Sequence, residues 1–369
     1  MKIALLGAGH IGQTIARNLV ATGDDQLSVF DRSAEALAAL RAATSTHAAR
    51  LTTHVLDSRD RASIAAALAG HEVVINALPY DFAITVAEAA REARCHYFDL
   101  TEDVAATRTI KALARDADTA FMPQCGLAPG FVGIVAHHLA QRFDTLYDVK
   151  LRVGALPEFP TNSLKYNLTW SVDGLINEYC HPCEAIRDGQ RIEVLPLEGL
   201  EHFSLDGTEY EAFNTSGGLG TLCETLAGRA RTLDYKSVRY PGHNALMRVL
   251  LEELRLKEDR ETLKTILRRS VPSTMQDVVV VFVTVSGLRA GQFVEDVFAR
   301  KIFAERGDSP RSAIQITTAA GVCAAVDLFR EGKLPRRGFI RQEQIALPDF
   351  LANRFGRAYE ALRQVESIG

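Results

Sequence analysis

The chain has 369 residues, 47% of them hydrophobic and 24% charged, which is ordinary for a globular protein and enough for two domains. A formal net charge of −4, with no block of lysine and arginine, offers no field for nucleic acid or anionic lipid, and neither is expected as a partner. The first residues enter a strand at once, without a basic region, apolar core and cleavage site, and no apolar run reaches the length of a membrane span, so a cytoplasmic protein is expected.

Lys2–Leu6 is an apolar run of strand length. Gly7-Ala8-Gly9-His10-Ile11-Gly12 then spells G-x-G-x-x-G, and Ile11, Ile15 and Leu19 recur at helical spacing. Strand, glycine turn and helix in that order form a dinucleotide fingerprint. Gly7 allows the tight turn, Gly9 a close approach of backbone to pyrophosphate, and Gly12 the packing of helix on strand, while His10 and Ile11 open a helix whose free N–H groups face the phosphates. A second strand, QLSVFDRS, ends in Asp31, twenty-four residues after Gly7, where an acidic residue receives the ribose hydroxyls. A carboxylate about 4 Å from a 2′-phosphate costs on the order of 4 kcal/mol at a dielectric near 20, so NAD is the expected cofactor. Arg32 is the rival feature, since it can pair with a 2′-phosphate, and NADP stays possible.

A third strand ends in Asp57, within reach of the adenine edge. A fourth leads into Asn76-Ala77-Leu78-Pro79, where the chain passes the nicotinamide side of the crevice. HYFDLT and TAFMPQC are strands five and six, and Leu100, Ala128 and Pro129 beyond their ends complete the residues expected along the cofactor. Six strands alternating with helices read as a doubly wound parallel sheet. Gly126-Leu127-Ala128-Pro129-Gly130 breaks the rhythm, and YDVKLRVGAL, AIRDGQRIEVLP, RTLDYKSVRY, DVVVVFVTVSGL and GQFVEDVFARKIF are strands of a second domain. MRVLLEELRL and RETLKTILRRS read as its amphipathic helices. SAIQITTAAGVCAAVDLFREGKLP reads as a long helix stopping at Gly332 and returning to the first domain, and 347–365 as a final surface helix. The expected fold is α/β: a Rossmann domain at 1–128, a mixed α/β substrate domain at 129–315, and C-terminal helices at 316–369 packing back on the first.

Six scattered cysteines make no disulfide framework. Cys180-His181-Pro182-Cys183 has no second ligand pair at zinc spacing and reads as a plain turn, so no metal is expected.

GAGHIG, VVINALPYDF, CGLAPGF and KSVRYPGH together resemble the saccharopine dehydrogenase superfamily. Within it, YNLTWSVDGLINEYC, IRDGQRIEVLPLEGLEHF and EAFNTSGGLGTL look most like the L-lysine 6-dehydrogenase branch. The resemblance implies a nicotinamide-dependent oxidoreductase acting on an amino acid's C–N bond, often a homodimer or higher homo-oligomer. The saccharopine-reducing branch typically has aspartate where Ala128 stands and Asn-Arg-Asp where this chain has Asn214-Thr215-Ser216. Loss of that guanidinium points to a smaller, less anionic substrate, such as L-lysine or a related diamino compound, because saccharopine carries three carboxylates. The alternatives are a reductase condensing an amine with an aldehyde or oxo acid, and a non-catalytic redox sensor.

Oxidising an amine requires its ammonium to lose a proton before hydride leaves the carbon, so a general base is needed. His243 is the leading base, since a free imidazole titrates near 6.5, with a surface or structural imidazole in the Pro-Gly turn as the alternative. Arg239 suits a substrate carboxylate, and the resemblance places Thr215 and Ser237 at substrate-binding positions. Tyr80 and Asp99 follow strands four and five, near the reacting end of the crevice, placed either to touch substrate or to cap a helix, and Asn167 lies with Tyr166 and Trp170 on a strand-like or turn segment.

Overall fold

The computed structural model describes residues 1–307 and 310–360. It divides into two compact units, Met1–Ile134 with Gln315–Ala358, and Val135–Ile314 with the last residues from Tyr359.

Unit 1 is built on β1 (Lys2–Leu6), β2 (Gln26–Asp31), β3 (Leu51–Val55), β4 (Val73–Asn76), β5 (His96–Asp99) and β6 (Ala120–Met122). All pair in parallel, in the order β3-β2-β1-β4-β5-β6, the doubly wound arrangement. The crossovers are α1 (His10–Thr22), α2 (Ala34–Ala43), α3 (Arg61–Leu68), α4 (Ala83–Glu92) and α5 (Val104–Ala114). Ser33, Asp60 and Asp103 accept backbone N–H bonds as N-caps of α2, α3 and α5, so side chains satisfy helix starts away from the glycine turn. β1 and β4 are buried nearly throughout, as strands covered on both faces must be.

The chain passes along α6 (Phe131–Ala140) into unit 2. There β7 (Thr145–Pro157), β8 (Cys183–Arg187), β9 (Gln190–Val194), β10 (Glu201–Leu205), β11 (Thr208–Asn214), β12 (Ala230–Arg239), β13 (Asp277–Arg289) and β14 (Gln292–Phe303) form one mixed sheet. β12 and β7 pair in parallel at its centre, and the other ladders are antiparallel. An apolar layer from α7 (Val172–Cys180), α9 (His243–Arg248) and α10 (Arg260–Ser270) packs with Phe213 of β11, while the small α8 (Leu222–Leu226) follows β11.

Two readings of local structure need correction. Residues 166–170 form an irregular segment with one isolated bridge, Leu168 to Ser273, as read from the sequence, and α7 follows it with Ser171 as its N-cap. MRVLLEELRL is a short helix that widens into a π-type turn, Val249–Glu253, and stops at Arg255 in the left-handed region (φ +56°), with no glycine or proline to mark the end. The expected surface helix over 347–365 is the short α12 (Leu347–Ala352), whose Leu347 and Phe350 are buried, with Phe350 against Phe131 at 5.2 Å; residues beyond 360 lie outside the described ones. The long α11 (Ala313–Arg330) is followed by Gly332 at φ +77°, and β15 (Gly338–Phe339) adds a seventh parallel strand beside β6. α11 alone among the described helices is long and apolar enough to cross a membrane, but 83% of it is buried inside the protein, as a core helix is.

Candidate active site

In unit 1 the ends of β1, β2 and β4 meet at the glycine turn. Gly7 has φ +102°, and a Cβ there would lie 2.8 Å from Ala77 O, so the position admits no side chain. A Cβ on Gly12 would lie 2.0 Å from Gly7 O, a measure of how closely α1 sits on the turn. At Gly9 nothing lies within 4 Å of an added Cβ, and α1, beginning with His10 and Ile11, has no side-chain cap there. Open backbone above uncapped amides fits a pyrophosphate.

Asp31 has a task that its strand position did not reveal. Its Oδ2 accepts from Ala8 N and its Oδ1 from Ser33 N, both at 2.7 Å, so it clasps the glycine loop to the end of β2. Asp57, just past β3, is paired with Arg59, whose hydrogen bonds hold its carboxyl down to about 2, with a smaller contribution from Arg32. Asn76 Oδ1 accepts from Leu78 N at 3.1 Å and shapes the Ala77-Leu78-Pro79 turn, and Ala77 N is bonded to Leu6 O. The Ala128-Pro129 segment forms a closed turn in which Gly126 N bonds Pro129 O at 3.1 Å, with Leu100 against Gly126. Tyr80 is half-buried and opens a short 3-10 turn, Tyr80–Phe82.

Asp99 ends β5. It is buried and its oxygens are taken: Oδ2 accepts from Tyr97 Oη at 2.6 Å, Oδ1 from Thr101 N at 3.0 Å and Gln124 N at 2.8 Å. Burial pushes its carboxyl up to about 6. It ties the ends of β5 and β6 together.

Unit 2 gathers Arg239, Ser237, Thr215 and His243. Side chains two apart on a strand share a face, so Ser237 and Arg239 both project toward the α7 layer, while Lys236 projects the other way. Thr215 Oγ1 and Ser237 Oγ are 2.8 Å apart, both buried. Arg239 is 3% exposed; its Nε donates to Tyr179 Oη at 2.9 Å, its Nη1 to Val238 O at 2.8 Å, and the guanidinium lies over the rings of Tyr166 and Tyr179 at 5.0 and 5.7 Å. Among the described residues no carboxylate approaches it within 4.0 Å. The other two buried cations among the described residues of this unit are neutralised. Arg152 meets both Glu201 and Asp234, and Lys236 meets Glu201 at 2.7 Å.

His243 opens α9. It is 1% exposed, its Nε2 is 3.1 Å from Tyr179 Oη and its Nδ1 2.8 Å from Leu164 O. Burial, with the Arg239 charge beside it, pushes its pKa down to about 3. Asn167 is also tied up, its amide oxygen 3.3 Å from Asn162 Nδ2, and serves the 162–167 loop.

Sequence reasoning missed Tyr179, Glu211 and Glu178. Tyr179 was legible in principle, because Val172, Leu175, Ile176 and Tyr179 recur at helical spacing. Glu211 gives its two oxygens to Gly242 N and Asn244 N at 2.7 and 2.6 Å, which fixes the turn before His243. Glu178 is a buried carboxylate whose charge reaches Arg239, Tyr179 and Tyr235. Neither carried a local pattern. At Cys180–Cys183, His181 Nδ1 bonds Asn177 O at 3.0 Å, and among the described residues no group of three or more acidic, histidine or cysteine side chains is placed to hold a metal.

Comparison with known proteins gives consistent matches over most of the chain. The saccharopine dehydrogenase NADP binding domain matches residues 3–122, and the saccharopine dehydrogenase C-terminal domain matches residues 126–357. Two similar proteins are the saccharopine dehydrogenases [NADP(+), L-glutamate-forming] of Pyricularia oryzae, 24% identical over 68% of this chain, and of Saccharomyces cerevisiae, 25% identical over 70%. The matches span only 57% and 59% of those proteins' lengths. The apo saccharopine dehydrogenase (L-Glu forming) from Saccharomyces cerevisiae superposes with a TM-score of 0.78 over 95% of this chain and 96% of that one, at 19% identity, and so shares the fold. With family matches covering both the glycine turn and the Arg239 strand, the chain belongs to the saccharopine dehydrogenase family.

Proposed function

We propose that this protein is a nicotinamide-dinucleotide oxidoreductase acting on the C–N bond of an amino acid, and that its reaction is oxidation at the 6-amino group of L-lysine or a related diamino compound. The observation that carries the substrate choice is the count of buried cations in unit 2: of Arg152, Lys236 and Arg239, only Arg239 has no carboxylate within 4.0 Å among the described residues. One uncommitted guanidinium suits one substrate carboxylate. Saccharopine would bring three carboxylates, and lysine brings one. The Thr215–Ser237 hydroxyl pair on the same face can hold the substrate's polar groups.

Gly7, Gly9, Gly12 and the start of α1 would hold the pyrophosphate, with Asp31 and Arg32 at the ribose and Asn76–Pro79 toward the nicotinamide. The dinucleotide, when bound, supplies the hydride acceptor. NAD is the proposed preference, because the Asp31 carboxylate opposes a 2′-phosphate. The family relatives are named for NADP(+), so Arg32 is the residue that would reverse the choice.

The second reading, a reductase that condenses an amine with an aldehyde or oxo acid, is favoured by the names of those relatives. A panel of amino acids and amines at high pH, followed by absorbance of the reduced nicotinamide with NAD and with NADP, separates the two. Higher kcat/KM on L-lysine than on saccharopine supports the proposal, and equal or higher kcat/KM on saccharopine overturns it.

A further inference from the structure

The imidazole of His243 sits in a directional chain of hydrogen bonds. Leu164 O can only accept, so Nδ1, 2.8 Å away, carries the ring hydrogen and Nε2 presents its lone pair. Tyr179 Oη, 3.1 Å from Nε2, must then donate its hydrogen to the ring. With that hydrogen committed, the tyrosine oxygen turns its lone pairs to Arg239 Nε, 2.9 Å away. The sequence Arg239 Nε–H to Tyr179 O–H to His243 Nε2, with His243 Nδ1–H to Leu164 O, leaves every partner one orientation.

The surroundings hold this chain still. Glu211 grips Gly242 N and Asn244 N on either side of His243, and Asn244 Nδ2 bonds Leu197 O at 2.9 Å. Lys165 Nζ donates to Pro241 O at 3.0 Å, so the loop carrying Leu164 is joined to the turn carrying His243 at two points. Phe213 stacks on the imidazole at 6.2 Å and an interplanar angle of 9°.

We infer that His243 is a positioning residue for substrate recognition: through Tyr179 it locks the Nε edge of Arg239, so that the guanidinium presents a fixed edge to a substrate carboxylate. Nη1 is likewise held on Val238 O, so both of these donors are anchored to protein and the plane of the group is set before substrate arrives. The inference rests on the reading that Arg239 receives the substrate carboxylate. It assigns to His243 and Tyr179 a role in binding, with no proton transferred to or from substrate.

The test uses two amide substitutions of similar polarity. In His243→Asn the side-chain amide can reach Leu164 O but nothing stands where Nε2 was, whereas in His243→Gln the amide oxygen can take the place of Nε2. With L-lysine and NAD, His243→Asn should raise KM for lysine about tenfold with kcat little changed, and His243→Gln should recover most of that loss. Adding His243→Asn to Tyr179→Phe should raise KM no further, since both break one chain. Equal KM in the Asn and Gln variants, or full additivity with Tyr179→Phe, overturns the inference. Arg239→Ala separates it from the reading beneath it: unchanged KM in that variant removes the carboxylate role of Arg239. Nitrogen NMR of the wild-type imidazole tests the chain without activity or substitution. A neutral ring protonated at Nδ1 from about pH 5 to 9 is expected, and an Nε2–H tautomer or an imidazolium in that range overturns it.

Discussion

A base with a pKa of about 3 is already deprotonated throughout the working pH range, so His243 adds no ionisation to the rate profile. The titration left to limit the reaction is that of the substrate ammonium, near 10.4 for a lysine side chain. kcat/KM for L-lysine should therefore keep rising with pH toward about 10, with no inflection near 6.5. Such an inflection in the wild type, lost in His243→Gln, would restore the imidazole as the base. Asp99 gives a second pH effect, on stability. Its carboxyl is raised by burial to about 6, above the unfolded value near 3.9, so between those values the folded protein binds more protons than the unfolded chain. This contribution favours folding at low pH and is lost as pH rises through about 6. In Asp99→Asn the side-chain amide can accept from Thr101 N and Gln124 N and donate to Tyr97 Oη, so the fold should persist. The Tm of this variant relative to wild type should be higher at pH 7.5 than at pH 4; a difference that does not change with pH would show that burial of this charge does not control stability. Gly7, Gly9, Gly12, Asp31 and Arg239 were legible as candidate site residues because each follows from motif or residue chemistry. The state of His243 and Asp99 was not, because a pKa depends on burial and on neighbours distant in sequence: Leu164 for one, Gln124 for the other.

Among the elements, α11 comes close to the turn after β6 at Gly321. A Cβ there would lie 2.5 Å from Cys125 O and 2.8 Å from Gly126 O, both rigid backbone atoms in the turn that carries Ala128 and Pro129. Gly321→Ala must push helix and turn apart, at a cost of roughly 1–3 kcal/mol, and for a chain this long should lower Tm by a few degrees. The displaced turn should also weaken dinucleotide binding, which calorimetric titration would read. A variant with wild-type Tm and affinity would show that the helix does not set the turn. In the sequence this glycine is one more small residue in TTAAGVCAA, and nothing local marks it as a contact point. The helix itself was legible, from its apolar length and the Gly332 stop. α7 was legible in principle from its 3.6 period. The π-type turn after α9 was not, because its end at Arg255 lacks any stop residue.

For the whole molecule, the decisive feature is that the chain closes unit 1 only after unit 2 has been made. β15 adds Gly338 and Phe339 beside Ala120 and Phe121 of β6, Gly338 N bonds Thr119 O, and Ile340 N bonds Phe121 O at 2.8 Å. Gln342 Nε2 reaches Pro123 O at 2.8 Å. Phe329 of α11 packs edge-on to His96 at 4.6 Å and Phe98 at 5.4 Å. The parallel sheet could be inferred from alternating strand and helix signals; the two-residue β15, too short to show a period, could not. Removing a buried Phe such as Phe329 costs about 3–5 kcal/mol, against a total stability of about 5–15 kcal/mol. Residues 1–134 expressed alone should therefore fail to fold, since they lose that aromatic contact and leave β6 as an open edge over an uncovered apolar face. Residues 1–134 joined through a flexible linker to 315–358 keep the whole of unit 1, and should fold cooperatively and bind dinucleotide with an affinity near that of the full chain. Circular dichroism melts and a fluorescence titration with NADH distinguish the outcomes. A cooperative melt and full dinucleotide affinity in 1–134 alone would show that the returning segment covers unit 1 without being needed to build it.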